Sequence, residues 1–161
     1  MYLSDIYIKN MGAIESLSIK RDTLIKVNGN PRIIILIGKN GTGKTTLLSS
    51  IVDSIFEFLK QNFSKVLTSE EYFKVSGGRN LRVNMEYGFS YLKYENKESK
   101  IYEYLDKNGK LSFSECKNLT DNLLTLNGNW DNANNKIITK KKENDNLGDF
   151  IKNNSYCYFP S

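Results

Sequence analysis

One run of residues in this chain has types and spacing that could do chemistry: Gly38-Lys39-Asn40-Gly41-Thr42-Gly43-Lys44-Thr45, with Thr46 following. It fits G-x-x-x-x-G-K-[ST], the pattern of a loop that cradles phosphates. Glycines at 38, 41 and 43 let the backbone wrap tightly, so that successive N–H groups converge on an anion. A helix beginning near Lys44 would add the partial positive charge of its N-terminus beneath the phosphates. Lys44 would reach the β- and γ-phosphates as a point charge, and the Thr45 hydroxyl is placed to ligate Mg²⁺. Thr46 would offer its amide and hydroxyl to the α-phosphate.

Such a loop needs a rigid element on each side. Before it stands Ile33-Ile34-Ile35-Leu36-Ile37, an apolar run without alternation. That pattern predicts a strand covered on both faces, as in the middle of a parallel sheet. After it, Leu47, Leu48, Ile51, Val52, Ile55, Phe56 and Leu59 recur three and four apart, which predicts an amphipathic helix of about four turns. Upstream, Leu3, Ile6, Tyr7 and Ile8, the turn signal Asn10-Met11-Gly12-Ala13, and then Ile14, Leu17 and Ile19 predict a hairpin. Asn28-Gly29-Asn30-Pro31 is a further break.

Downstream, Val83, Met85, Tyr87, Phe89 and Tyr91 alternate, which places them on one face of a strand. Asn96–Ser99 and Asp106–Gly109 read as turns of a meander whose later strands hold Ile101, Leu105, Leu111 and Phe113. A short helix is expected around Leu119–Leu126 and a last strand at Tyr156–Phe159. The chain thus divides into strands, loop and helix over 1–60, an antiparallel β insertion over 81–116 set to one side, an Asn/Lys-rich loop region over 118–150, and a strand over 155–159. The expected class is α/β, in one domain of 161 residues that is an incomplete lobe.

Composition narrows the chemistry further. The chain has no histidine, which excludes Ser-His-Asp and Cys-His nucleophiles, His general bases and His-ligated zinc. The two cysteines, Cys116 and Cys157, make no disulfide framework and have no metal-ligand spacing. No apolar run approaches the roughly 20 residues of a spanning helix, and no signal peptide is visible, so the cytoplasm is the expected compartment. A net charge of +5 is compatible with a phosphate-bearing partner without demanding one.

The loop and its neighbours resemble a known family. Lys39-Asn40-Gly41-Thr42-Gly43-Lys44-Thr45-Thr46-Leu47-Leu48 is similar to the G-x-N-G-x-G-K-[ST]-[ST]-L-[LI] form of ABC-type ATPases. Ile6-Tyr-Ile-Lys-Asn-Met-Gly-Ala-Ile14 looks like the opening of SMC-like heads, the RecF-like and OLD-like ATPases of DNA repair and phage defence. Tyr156–Ser161 resembles a strand that follows the antiparallel part of such heads. The resemblance covers residues 1–60 best. It implies a P-loop NTPase lobe of ABC/SMC type within the broad AAA ATPase class, holding ATP and Mg²⁺ through Gly38, Asn40, Gly41, Thr42, Gly43, Lys44, Thr45 and Thr46, with Thr45 as the metal ligand. It further implies a partner, either the missing C-terminal half or an ATPase subunit, in a homo- or hetero-dimer, with DNA as a further partner and no membrane.

The departures are as specific. Family heads carry a later apolar strand ending in Asp-Glu, and none of Asp53, Asp106, Asp121, Asp131, Asp145 or Asp149 follows such a run. The switch histidine is missing, and Gln61 comes too early to sense Mg²⁺. No catalytic residue is identified, and the chain alone is not expected to turn over ATP. Val75-Ser76-Gly77-Gly78-Arg79 resembles the signature that clamps ATP across a head dimer, yet alternation rather than a helix follows it, so a plain glycine turn is expected. Lys136 and Lys140–Lys142 read as a solvated loop before a DNA contact, and the Tyr87, Phe89, Tyr91 stripe as sheet packing before a base platform. The alternatives are another P-loop NTPase or kinase, and a truncated regulatory subunit that binds nucleotide without catalysis. For a GTPase, Asn135-Lys136-Ile137-Ile138 has the wrong last residue for reading guanine.

Overall fold

The computed structural model describes residues 2–26, 28, 30–60, 74–75, 80–96, 100–126 and 136–140. Strands β1 (Tyr2–Met11), β2 (Ile14–Ile19), β3 (Tyr87–Glu95), β4 (Ile101–Gly109) and β5 (Lys136–Lys140) form one antiparallel sheet in the order β2-β1-β3-β4-β5. Among the described residues three helices accompany it: α1 (Arg21–Leu24), α2 (Lys44–Leu59) and α3 (Phe113–Leu119).

Alternation along the strands sends side chains to two faces. Ile6 and Ile8 of β1, Leu92 and Tyr94 of β3, and Tyr102 and Tyr104 of β4 meet α2 through Leu47, Phe58 and Leu59. The Phe58 ring stands edge-on to Tyr94, with centroids 5.6 Å apart. The opposite face gathers Tyr7, Phe89, Tyr91 and Leu105 beneath Leu111, Cys116 of α3, Leu124 and Leu126. The sheet is therefore a middle layer, and α2, which begins at the glycine-rich loop, is anchored on one side of it. Burial raises the Cys116 thiol to about 12, so it stays a neutral packing group.

The second face also buries charge. Glu103 is fully buried, and it accepts hydrogen bonds from the Tyr91 hydroxyl (2.6 Å), the Thr125 amide (2.8 Å) and the Thr125 hydroxyl. Those bonds tie the 120–126 segment to β3 and β4, and each buried lone pair they satisfy avoids a desolvation cost.

Several elements depart from the sequence expectation. The run Ile33–Ile37 is not a strand: residues 32–39 have no regular structure, and Ile33, Ile35 and Ile37 are 91%, 76% and 90% exposed. Among the described residues no strand runs alongside it, and an apolar segment without a ladder partner has no hydrogen bonds to hold it extended in a sheet. Asp106–Gly109, expected as a turn, is the end of β4, paired in register with Tyr87–Ser90. Asp106 and Lys107 stay in the strand because both are satisfied where they lie, Asp106 by Lys74 and Lys107 by the Gly109 carbonyl. The other expected turn, Asn96–Ser99, falls between β3 and β4, and the Asn96 amide donates across it to the Lys100 carbonyl.

The antiparallel strands of the 81–116 segment are not set to one side, because β3 pairs directly with β1 from Tyr2↔Glu95 to Lys9↔Phe89. Val83 and Met85 precede β3 in an exposed turn, so the one-face stripe is confined to Tyr87, Phe89 and Tyr91. β5 lies within 118–150, a stretch expected to be loop. The expected strand at 155–159 lies outside the described residues.

Phe113, expected in a strand, opens α3, and residues 120–126, expected to be helical, follow it without regular structure. The physical reason is a capping box, Ser112-Phe-Ser-Glu115. The Glu115 amide donates to Ser112 Oγ (3.2 Å), and the Ser112 amide donates to the Glu115 carboxylate (2.9 Å). The Ser112 hydroxyl, which also donates to the carboxylate, and then the Ser112 amide hold the Glu115 carboxyl below its ordinary range. Ser112→Ala is expected to cost about 1 kcal/mol, read from the urea midpoint at an unchanged slope; an unshifted midpoint would contradict the cap's role.

Candidate functional site

The glycine-rich run forms a tight loop at the start of α2. Gly43 is the residue before the helix and sits in the left-handed region at φ 94°, with no side chain capping the helix. Gly41 also has a positive φ, 79°. Left-handed backbone at these two positions is what glycine supplies without strain. The first-turn amides of α2, Lys44, Thr45 and Thr46, lie where a helix has no internal acceptor for them, and they concentrate its N-terminal positive charge.

Inside the loop the side chains fold back on the backbone. The Thr42 hydroxyl donates to the Lys39 carbonyl (2.9 Å). The Lys44 ammonium donates to the carbonyls of Gly38 (2.7 Å) and Lys39 (2.8 Å), spanning the loop from helix to entrance. Among the described residues no carboxylate lies within ion-pair distance of Lys44. Gly38 has little room for a side chain, since a Cβ there would lie 2.9 Å from Thr42 Oγ1. Asn40 and Thr45 are exposed, whereas Thr46 is half-buried. The Thr46 hydroxyl faces the β1–β2 turn, where a Cβ on Gly12 would come within 2.9 Å of it. Gly38, Asn40, Gly41, Thr42, Gly43, Lys44, Thr45 and Thr46 thus form one contiguous unit, with Thr46 partly committed to packing.

The β1–β2 turn is the other half of the site. Ile14 presses on Gly43 so closely that a Cβ there would lie 2.4 Å from Ile14 Cγ1. Between this hairpin and the loop opens a cleft of about 530 Å³, lined by Ala13–Leu17, Ile35–Gly38, Thr42–Lys44 and Leu47. Its walls away from the loop are mostly apolar, and the one acidic side chain among its lining residues is Glu15. The volume is in the range that accommodates a cofactor-sized ligand. Among the described residues no three His, Cys, Asp or Glu side chains gather to hold a metal ion.

A third segment, residues 80–82, braces the turn from outside. The Gly12 amide donates to the Asn80 carbonyl (2.6 Å) and the Arg82 amide to the Asn10 carbonyl (3.0 Å). Arg82 Nη1 donates to the Ala13 carbonyl (3.4 Å), and Nη2 stands 3.6 Å from Glu15. Neither Arg82 nor Glu15 was picked out by sequence reasoning, because no motif marks them; the only local signal was Gly12 in a turn between two strands.

The other sequence candidates separate from this site. Phe89 and Tyr91 are core residues beneath α3, with Tyr87 packed against them. Of the signature-like run only Val75 is described; its amide donates to Asp53 of α2 (2.6 Å). Ser76–Arg79, Lys141 and Lys142 lie outside the described residues, and Lys136 and Lys140 bound β5. No helix among the described residues is long and apolar enough to cross a membrane. No family model matches the chain, and no curated protein matches it.

Proposed function

We propose that this chain binds a nucleoside triphosphate, ATP by resemblance, with its phosphates in the Gly38–Thr46 loop and its base in the adjoining cleft. The observation that carries the reading is the conjunction at the loop: left-handed Gly41 and Gly43, an uncapped helix start, and a lysine lying across the loop without a carboxylate partner among the described residues. Phosphate oxygens would take the ammonium from the two carbonyls, exchanging neutral acceptors for charged ones. Mg²⁺ fits this setting, since that ion takes one or two protein oxygens and completes its shell with phosphates and water. Thr45 would hold it, and the bound ion would neutralise charge on the phosphates.

On this reading the chain is the nucleotide-binding lobe of an SMC-like or ABC-type ATPase head, cytoplasmic and at work in DNA repair or phage defence. The likeness of residues 1–60 to such heads supports it. The bare Ile33–Ile37 run supports a partner that supplies strands beside it, because exposed apolar surface of this kind marks an interaction site. The described residues offer phosphate binding, and hydrolysis draws on groups outside them.

The test is a titration of the chain with a fluorescent ATP analogue, with and without Mg²⁺. Lys44→Ala is expected to weaken binding by about 2 kcal/mol, roughly 30-fold. Thr45→Ala is expected to weaken it only when Mg²⁺ is present. Equal affinity of the wild type and Lys44→Ala would overturn the reading.

A further inference from the structure

We propose that Arg82 is a positioning residue for the nucleotide, setting the wall of the cleft that receives the base through the carbonyl of Ala13 and the carboxylate of Glu15. The inference rests on the reading of Gly38–Thr46 as a phosphate site and adds a determinant outside that motif. Its ground is that both groups held by this one guanidinium belong to residues lining the cleft. The backbone of the same residue holds the other end of the turn, at Asn10. Arg82 therefore clamps the β1–β2 turn at both ends, over a stretch where Asn10 and Gly12 take φ values of 52° and 53°.

Asparagine and glycine enter this left-handed region readily, and the clamp fixes which conformation the turn keeps. The planar fork of arginine meets two acceptors at once, which a lysine ammonium matches poorly. The clamped turn then bears on the loop in two places, Gly12 on Thr46 and Ile14 on Gly43. Arg82 acts on the base wall directly, through Ala13 and Glu15, and on the phosphate loop only through those packing contacts, whereas Lys44 and the helix start hold the phosphates themselves. Glu15 and Arg82 are partly exposed, with side-chain accessibilities of 69% and 36%. The clamp is therefore of modest strength, and its effect is on selectivity more than on fold.

The experiment compares the affinity of the full chain for ATP and for inorganic tripolyphosphate, both with Mg²⁺, in the wild type, Arg82→Ala, Arg82→Lys and Glu15→Gln. Arg82→Ala is expected to weaken ATP about fivefold while changing tripolyphosphate less than about twofold. Arg82→Lys should recover part of the loss, and Glu15→Gln should show a smaller loss of the same kind. If ATP and tripolyphosphate weaken together in Arg82→Ala, the residue supports the fold and the proposal fails. It fails equally if neither weakens, or if the lysine variant is no better than the alanine one. A wild type that binds tripolyphosphate as tightly as ATP overturns the base wall and leaves the phosphate loop standing. A wild type that binds neither overturns the underlying reading itself.

Discussion

Gly43→Ala is expected to lower the stability of the chain by about 3 kcal/mol. Two costs combine. The backbone at this position has φ 94° and ψ 8°, a conformation that an alanine enters only with strain. The new methyl would also lie 2.4 Å from Ile14 Cγ1 and 3.2 Å from its Cδ1, inside contact distance of a side chain that is itself buried. Ile14 belongs to the cluster that seats Leu47 of α2 against β1, so it cannot move away without opening that packing. Chemical denaturation of the two proteins measures the loss, and less than about 1 kcal/mol would mean that the loop and hairpin are not in the contact described. The double variant with Ile14→Ala should lose less than the sum of the single changes, because the clash is shared. Nucleotide binding should also weaken in Gly43→Ala under conditions where it remains folded, since the first-turn amides are displaced with the hairpin.

Lys74→Met is expected to cost about 3 kcal/mol at neutral pH, because it leaves a buried carboxylate without its cation. Asp106 is 5% exposed and lies 2.8 Å from the Lys74 ammonium, with the Asn108 amide at 3.3 Å. Burial pushes the Asp106 carboxyl above its ordinary range, and Lys74 works against that shift. The sign of the pH dependence follows. A carboxyl raised in the folded state contributes stability that is fully present below its unfolded value and is lost as pH rises through the folded one. Removing Lys74 raises the folded value further, so the penalty should be largest at neutral pH and shrink as acid protonates Asp106. Adding Asp106→Asn should restore much of the loss at neutral pH, since a neutral amide needs no counter-charge. A penalty equal at pH 7 and at pH 4 would show that Lys74 acts through packing alone. The pair also matters for the site, because Lys74 and Val75, held by Asp106 and Asp53, stand on the chain between α2 and the Asn80–Arg82 brace.

Features set by neighbours in sequence were legible without the structure. The N-terminal hairpin, the helix that begins at Lys44 and the alternation through Tyr87, Phe89 and Tyr91 all stand where periodicity puts them, and the hairpin turn narrows to Gly12–Ala13 because β1 runs on through Met11. Each is encoded within about a dozen residues, by side chains meeting every third or fourth position in a helix and every second in a strand. The loop was legible for the same reason, since its glycines and lysine act over eight adjacent positions. The Ser112–Glu115 box is a signal of the same local kind, and it turns Phe113 from strand to helix.

Tertiary structure alone decided the rest. Ile33–Ile37 has the composition of a buried strand, but a strand exists only beside a partner that completes its hydrogen bonds, and none of the described residues provides one. Asp106–Asn108 has the composition of a turn, yet it continues β4 because Lys74, 32 residues away, meets the carboxylate that the strand buries. Sequence shows the charge of each residue but not which opposite charge the fold will bring to it. The same holds for Arg82. Its side chain acquires a place in the site because β3 pairs with β1, which carries residues 80–82 up to the turn beside the loop. Long-range pairing fixes that position, and no pattern within the segment itself records it.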